Sequence, residues 1–318
     1  MRPKYLTILA AVVLAGALGC SSGSGTPSTG AKQPVNITVA AIESVTATGL
    51  YVAAKQGYFT QAGLHVTIDA VSGSGPTIPD LVTGRVQVVF GNYVSDILAD
   101  ASGVAGLRFI AAGNVSGPGE QEVVVLPGSP VASPAGLRGK IIGVNALDNV
   151  GTMMIDAILA ANGVPASSVH FVAIPFPEMA AALAAHRIDA AYMSDPFITA
   201  ARAKYGVRTV FDCDQGAVAN LPIAGYVTTS AWAASNQGTV TAFVAALEKG
   251  QALAGTDRAA ADAALEAYTG VSAKVVAKAA IGTFPVDQQV QAAPLQRLAD
   301  LMQRYGLLKQ AFNVTAMT

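Results

Sequence analysis

An α/β chain of two similar lobes facing each other across a cleft is the fold class that this sequence predicts, and three observations predict it. Residues 81–95 (LVTGRVQVVFGNYVS) and residues 183–197 (LAAHRIDAAYMSDPF) repeat one pattern: a helix end, an Arg, a short apolar strand and a polar loop, at an offset of 102 residues. Gly49 and Gly151, each opening a helical stretch, stand at the same offset. The length of 318 residues also exceeds the roughly 250 to 300 at which a single core stops growing. Matched strand ends on the two sides of one crevice are where open parallel sheets take ligands.

The chain opens with an export signal: Arg2 and Lys4, an apolar run over residues 6–18, and Ala17-Leu18-Gly19-Cys20 as a small-residue cleavage site. Cleavage would leave Cys20 first, followed by SSGSGTPSTG, a flexible Gly/Ser tether. An ordinary secretory signal with an incidental Cys is the alternative. With Cys20 acylated only Cys213 remains, so no disulfide within the chain can form. Hydrophobic residues make up 52% of the chain and charged ones 12%, yet after the signal no uncharged apolar run reaches the roughly 18 residues that span a bilayer. No basic patch suggests a nucleic-acid partner.

Residues 35–41 (VNITVAA) alternate and are β-branched, which predicts a first strand, and residues 49–59 (GLYVAAKQGYF) carry apolar side chains at helical spacing, with Gly63 ending the unit. A strand over 64–70, the loop SGSGPT, a helix over 78–83, a strand over 86–90 and a helix over 93–101 set a βαβα rhythm. Strands over 107–113 and 122–126 are expected to continue that sheet, and the Pro/Gly-rich PGSPVASPAG after them to be the crossover. The second lobe repeats the order with strands over 140–144, 169–174 and 188–193, helices over 152–161 and 178–185, and a closing strand over 208–211. A strand over 223–230 is expected to return to the first lobe. Ala-rich helices from 231 onward, ending in the amphipathic 295–308, should cover it. The expected organisation is a signal peptide over 1–19, lipidated Cys and tether over 20–34, first lobe over 35–125, second lobe over 126–221, and first lobe again over 222–318, with two crossings forming a hinge.

Several stretches in this order resemble the substrate-binding proteins of ABC importers, in the branch for nitrate, sulfonates, taurine and thiamine-pyrimidine precursors. They are Gly49-Leu50-Tyr51 through KQGYFTQAGLHVTI, VTGRVQVVFGN, VVLPGSPVASPAGLRGKIIGV, the helix ending in NGVP, HRIDAAYMSDPF and LADLMQRYGLL. ALGC likewise resembles the bacterial lipoprotein signal, with Ala17 where that pattern usually has Leu. The resemblance implies a type II periplasmic-binding-protein fold, two α/β lobes of strand order 2-1-3-n-4 joined by two strands. It implies an exported monomer anchored to the outer face of the cell membrane by a lipid on Cys20. Such a receptor would capture a small polar organic molecule or oxyanion by hinge closure and deliver it to a membrane permease and its ATPase, with no cofactor and no metal.

Four segments lie at strand ends that would face the cleft, and the family binds through their equivalents. In the first, Ser44 and Thr46 can donate to a ligand, with ordinary N-capping by Thr46 or Thr48 the other reading. Ser74 and Gly75, in SGSGPT, would let backbone approach a ligand closely, although GSG also makes an ordinary turn. Asn92 could hydrogen-bond and Tyr93 offer a ring, with core burial the other reading of Tyr93. In the second lobe the candidates are Asn145, Gly151 and Thr152 at a helix start, then Asp195 and Phe197, where Asp195-Pro196 could also simply start a helix. None of these loops carries Lys or Arg, and Glu43 and Asp195 add negative potential. Helix N-termini and hydroxyls could hold a sulfonate or nitrate, and the same balance permits a neutral heterocycle or an amine. Arg85 and Arg187 precede their strands, at the end away from the cleft, and read as structural.

Two other function classes remain at this level. An enzyme of the same fold, in pyrimidine or quinone precursor synthesis, would need an acid, base or nucleophile in the cleft. His65 and His170 fall within strands, His186 adjoins Arg187 at the far strand end, and Cys213 lies beyond the last strand of the second lobe, so none is suited to that work. A ligand-sensing lipoprotein without a transporter would use the same cleft.

Overall fold

The computed structural model describes residues 33–103, 106–285 and 289–318. The expected signal peptide, Cys20 and most of the tether lie outside these residues. The first lobe runs β1 (Val35–Ile42), α1 (Thr48–Lys55), α2 (Tyr58–Gln61), β2 (Leu64–Val71), α3 (Ile78–Val82), β3 (Val88–Asn92), α4 (Tyr93–Ala101) and β4 (Leu107–Val115). The second holds β5 (Gln121–Val125), β6 (Ile141–Val144), α5 (Val150–Ala161), β7 (His170–Ala173), α6 (Phe176–Ala184), β8 (Ala190–Ser194), α7 (Phe197–Tyr205) and β9 (Arg208–Asp212). The chain then returns through β10 (Pro222–Thr229) to α8 (Ser230–Ser235), α9 (Gln237–Thr256), α10 (Arg258–Thr269), α11 (Ala273–Val276) and α12 (Ala292–Arg304).

The strand orders are β2-β1-β3-β10-β4 and β7-β6-β8-β5-β9, the same plan twice. In each sheet the strand that arrives from the other lobe, β10 or β5, runs antiparallel between two neighbours. This is the 2-1-3-n-4 order of the type II periplasmic-binding-protein fold expected above. The internal repeat maps onto it strand for strand, since Val88–Asn92 and Ala190–Ser194 stand 102 residues apart. Both are buried along their whole length, the pattern of inner strands covered on two faces. His65 and His170 sit on the edge strands β2 and β7.

One strand corrects the sequence reading. Residues 122–126 were expected to extend the first sheet, but β5 pairs with β8 and β9 in the second. The chain therefore crosses over at residues 116–120 rather than in PGSPVASPAG. That later stretch is fastened to the second lobe, where the Arg208 guanidinium donates to the carbonyls of Ser129 and Val131 at 2.6 and 2.7 Å. The uniformly apolar VVV of β5 carries no mark of which sheet it joins, and this is why the pattern misled.

Helices α9 and α10 pack on α1, and α12 on α4, so the C-terminal helices cover the first lobe. Tyr51 and Tyr268 stack with ring centroids 4.5 Å apart, and Phe59 and Phe243 at 5.2 Å, which fixes α1, α2, α9 and α10 as one layer. The segment after α11 spans the waist of the molecule. Ala280 N–H donates to the Asp195 carboxylate at 2.6 Å, Val115 N–H to Thr283 carbonyl at 3.0 Å, and Thr283 N–H to the Glu120 carboxylate at 2.9 Å. A strap thus joins the start of α7, the end of β4 and the first crossing.

Candidate functional site

Between the two sets of strand ends lies a small chamber with about 30 Å³ of free space for the centres of water-sized molecules, enough for a few heavy atoms. The first lobe contributes Ile42 from the end of β1, Ser44 and Thr46 from the turn after it, Asn92 from the end of β3, and Ile223 and Ala224 from β10. From the second come Gln121 at the start of β5, Asn145 after β6, Asn149 and Val150 at the start of α5, Phe176 at the start of α6, and Tyr192 and Ser194 of β8. Apart from Tyr192, in the middle of β8, the polar groups sit at strand ends, in the turn after β1 or at a helix start, where the backbone leaves the sheet and frees side chains to face the crevice. A broader groove of about 760 Å³ runs along the outer face past Gly75, Ser95, Asp148 and Tyr305, and opens to solvent.

The lobes meet around the chamber. Val45 N–H donates to Asp195 carbonyl at 2.9 Å, Val150 N–H to Asn92 Oδ1 at 3.2 Å, Asn145 Nδ2 to Ser72 carbonyl at 2.8 Å, and Ser95 Oγ to Asp148 carbonyl at 3.2 Å. Each links one lobe to the other, so the molecule is in a closed form.

Within the chamber most polar groups are already engaged. The Ser44 and Thr46 hydroxyls share a hydrogen bond at 2.6 Å, and Asn149 Nδ2 donates to Asn145 Oδ1 at 2.9 Å. Helix starts are capped from within: Asn92 Oδ1 accepts Ser95 N–H, and Asn149 Oδ1 accepts Thr152 N–H while the Thr152 hydroxyl takes Asn149 N–H. Three atoms are left over. Asn92 Nδ2 and both amide atoms of Gln121 are buried without a hydrogen-bond partner, in residues only 3% and 2% exposed. An unpaired buried amide costs about 1 to 3 kcal/mol.

Among the described residues, no side chain lining the chamber carries a formal charge: the set is amides, hydroxyls, a phenol and apolar groups. Burial pushes the Tyr192 phenol well up, so it stays neutral. Glu120 lies just behind, next to Gln121 in the chain. Burial raises its carboxyl to about 7, against hydrogen bonds from Asn114 and Thr283 that favour the ionised form. Burial also raises Asp195, opposed by bonds from Ala280 and Thr199. Phe176 and Ile42 separate the chamber from an outer vestibule of about 330 Å³ bordered by Glu43, Ala70, Pro175 and Pro177.

Of the candidate residues, Ser44, Thr46, Asn92 and Asn145 line the chamber. Thr152 closes the capping box of α5 behind it, and Gly151 lets that helix approach Tyr192, since a Cβ there would lie 2.5 Å from the ring. Ser74 donates to Asn92 carbonyl at 3.4 Å from below, and Gly75 borders the outer groove. Asp195 caps α7 by accepting Thr199 N–H, and Phe197 stacks on Phe176 at 6.1 Å, one layer behind the wall. Tyr93 takes the core reading: its ring meets Phe109 edge-on at 4.8 Å in the first lobe, away from the chamber. Gln121, Phe176 and Tyr192 are lining residues that the sequence reading left out, while Asn149 and Ser194 fall in the second-lobe loops it named, 145–152 and 194–197, without being singled out. The repeat could have found Ser194, which stands 102 residues after Asn92. Among the described residues no cluster of His, Cys, Asp and Glu could hold a metal ion, and no helix is long and apolar enough to cross a membrane.

The alkanesulfonate-binding protein SsuA from Xanthomonas axonopodis pv. citri, solved with MOPS, is 19% identical and superposes with a TM-score of 0.77 over 89% of this chain and 98% of its own. The periplasmic nitrate-binding protein NrtA from Synechocystis PCC 6803 follows the same fold at 14% identity and TM-score 0.73, over 89% and 85%. The desulfurization enzyme DszB does so at 17% and 0.65, over 87% and 94%. No curated protein matches the chain. At these identities the solved structures establish the fold. Residues 44–261, more than half of the sequence, match the family described as NMT1/THI5 like, and the chain belongs to that family.

Proposed function

We propose that this protein is the extracytoplasmic solute-binding component of an ABC importer. It captures a small polar molecule between its lobes, closes over it by a hinge at the two crossings, and presents the closed form to a membrane permease and its ATPase. The observation that carries this reading is the buried chamber between matched strand ends, where Asn92 and Gln121 hold unpartnered amide atoms. Hydrogen bonds from lobe to lobe around it are the kind that closure would form and opening would release. The sulfonate- and nitrate-binding proteins of the same fold support a binding role. The lining offers amides and hydroxyls with no His, Cys or carboxylate for acid–base or nucleophilic chemistry, which favours binding over the catalysis of the DszB likeness. We further propose export by the residue 1–19 signal, a lipid anchor on Cys20, and work as a monomer.

Solution scattering tests the mechanism. The radius of gyration should fall when a ligand that raises Tm is added, and an unchanged radius with every stabilising ligand would contradict hinge capture. Intact mass of the ligand after prolonged incubation should be unchanged; turnover would favour the enzyme reading.

A further inference from the structure

The chemistry of the chamber points to one class of ligand. Resting on the binding role proposed above, we infer that the chamber selects a compact uncharged molecule with a carboxamide-like edge, a donor beside an acceptor, and rejects oxyanions.

Gln121 carries the argument. Both its amide atoms are buried and unpaired, one a donor and the other an acceptor. A carboxamide or urea edge would satisfy both at once, and Asn92 Nδ2 supplies a further donor for the same ligand's oxygen. An oxyanion, which only accepts, would leave Gln121 Oε1 unpaired and facing negative charge.

Several backbone groups that could hold an anion are engaged elsewhere, which leaves Asn92 Nδ2 and Gln121 Nε2 as the unpaired amide donors. Among the described residues no cation lines the chamber. Backbone N–H groups at helix starts could replace one, but Ser95 and Val150 N–H donate to Asn92 Oδ1, and Thr152 N–H to Asn149 Oδ1. Val45 N–H is bonded to Asp195 carbonyl. Glu120, behind Gln121, and Asp195, at the start of α7, are buried carboxyls and bring no positive charge to the chamber. The chamber's small free space suits a fragment of few heavy atoms.

The test is calorimetric titration and thermal shift of the exported form of the full protein with two probe sets. One set is acetamide, urea and methylurea; the other is nitrate, methanesulfonate and taurine at matched ionic strength. The neutral set should bind and the anions should not. Gln121→Glu, which removes the donor, and Gln121→Met, which removes both groups, should each weaken neutral binding about tenfold or more while circular dichroism stays unchanged. Gln121→Lys should bring nitrate or methanesulfonate binding that the parent lacks. Anion binding by the parent that is lost in Gln121→Met would overturn the ligand class and leave the binding role standing. Failure of both sets, with Gln121→Lys also silent, would overturn the two together.

Discussion

Asn92 Oδ1, in the first lobe, accepts Val150 N–H from the second at 3.2 Å and Ser95 N–H from its own lobe at 2.9 Å. One amide oxygen therefore caps α4 and fastens the start of α5. Asn92→Ala should lower unfolding stability by about 1 to 3 kcal/mol, from the lost cap and the donors left without a partner. It should also enlarge the radius of gyration without ligand. Denaturant titration and scattering would check the two effects, and a stable variant of unchanged size would refute the link.

Gly151 is a packing requirement of α5. A Cβ there would sit 2.5 Å from the Tyr192 ring, which is itself buried in β8, so Gly151→Ala should cost about 1 to 3 kcal/mol. Gly255, on α9 with nothing within 4 Å of such a Cβ, is the control. Gly255→Ala should stabilise by up to about 1 kcal/mol through helix propensity. Thermal melts of the pair would decide it.

Asp96, on α4, is completely buried, and neither carboxyl oxygen meets a donor in bonding geometry. Burial raises it from 3.8 to about 8, offset only in part by the nearby Ser74 hydroxyl. The folded chain then keeps a proton that the unfolded chain releases above about pH 4. This contribution to stability is whole below that pH and is lost as pH climbs towards 8. Glu120, raised from 4.5 to about 7, acts in the same sense. Asp96→Asn should flatten the profile, gaining on the parent between pH 4 and 8 in denaturation midpoints; parallel profiles would count against it.

Cys213 is fully buried, and burial together with the Asp212, Glu122 and Asp214 carboxylates pushes its thiol well up. In a Cys20→Ser variant, where Cys213 is the one remaining thiol, a disulfide reagent should react slowly with the folded protein and rapidly in denaturant. Fast native labelling would mean that the second lobe opens locally.

The plan of the fold was legible because repetition is visible in sequence: the 102-residue offset aligns β3 with β8 and α1 with α5. Asn92, Asn145, Ser44 and Thr46 were readable because a polar residue directly after an apolar strand must sit at the strand end. Gln121 was not, since a strand entering a sheet antiparallel presents its first residue at that end, and nothing local tells which sheet β5 joins. Tyr93 followed Asn92 by one residue, but the helix begins there and turns the ring onto Phe109, where Gly225 makes room for it. The second role of Asn92 Oδ1, accepting Val150 N–H, was equally hidden, because unlike the local caps of α4 and α5 it depends on the two lobes meeting.

The strap from Ala280 to Thr283 has a consequence for motion. A body with two slack tethers could drift smoothly between shut and gaping. Here one end of a third tie, at Asp195 and Glu120 on the second lobe's side or at Val115 on the first's, must let go before the halves can swing. The excursion therefore meets a threshold, and single-molecule distances across the waist should gather into two discrete populations.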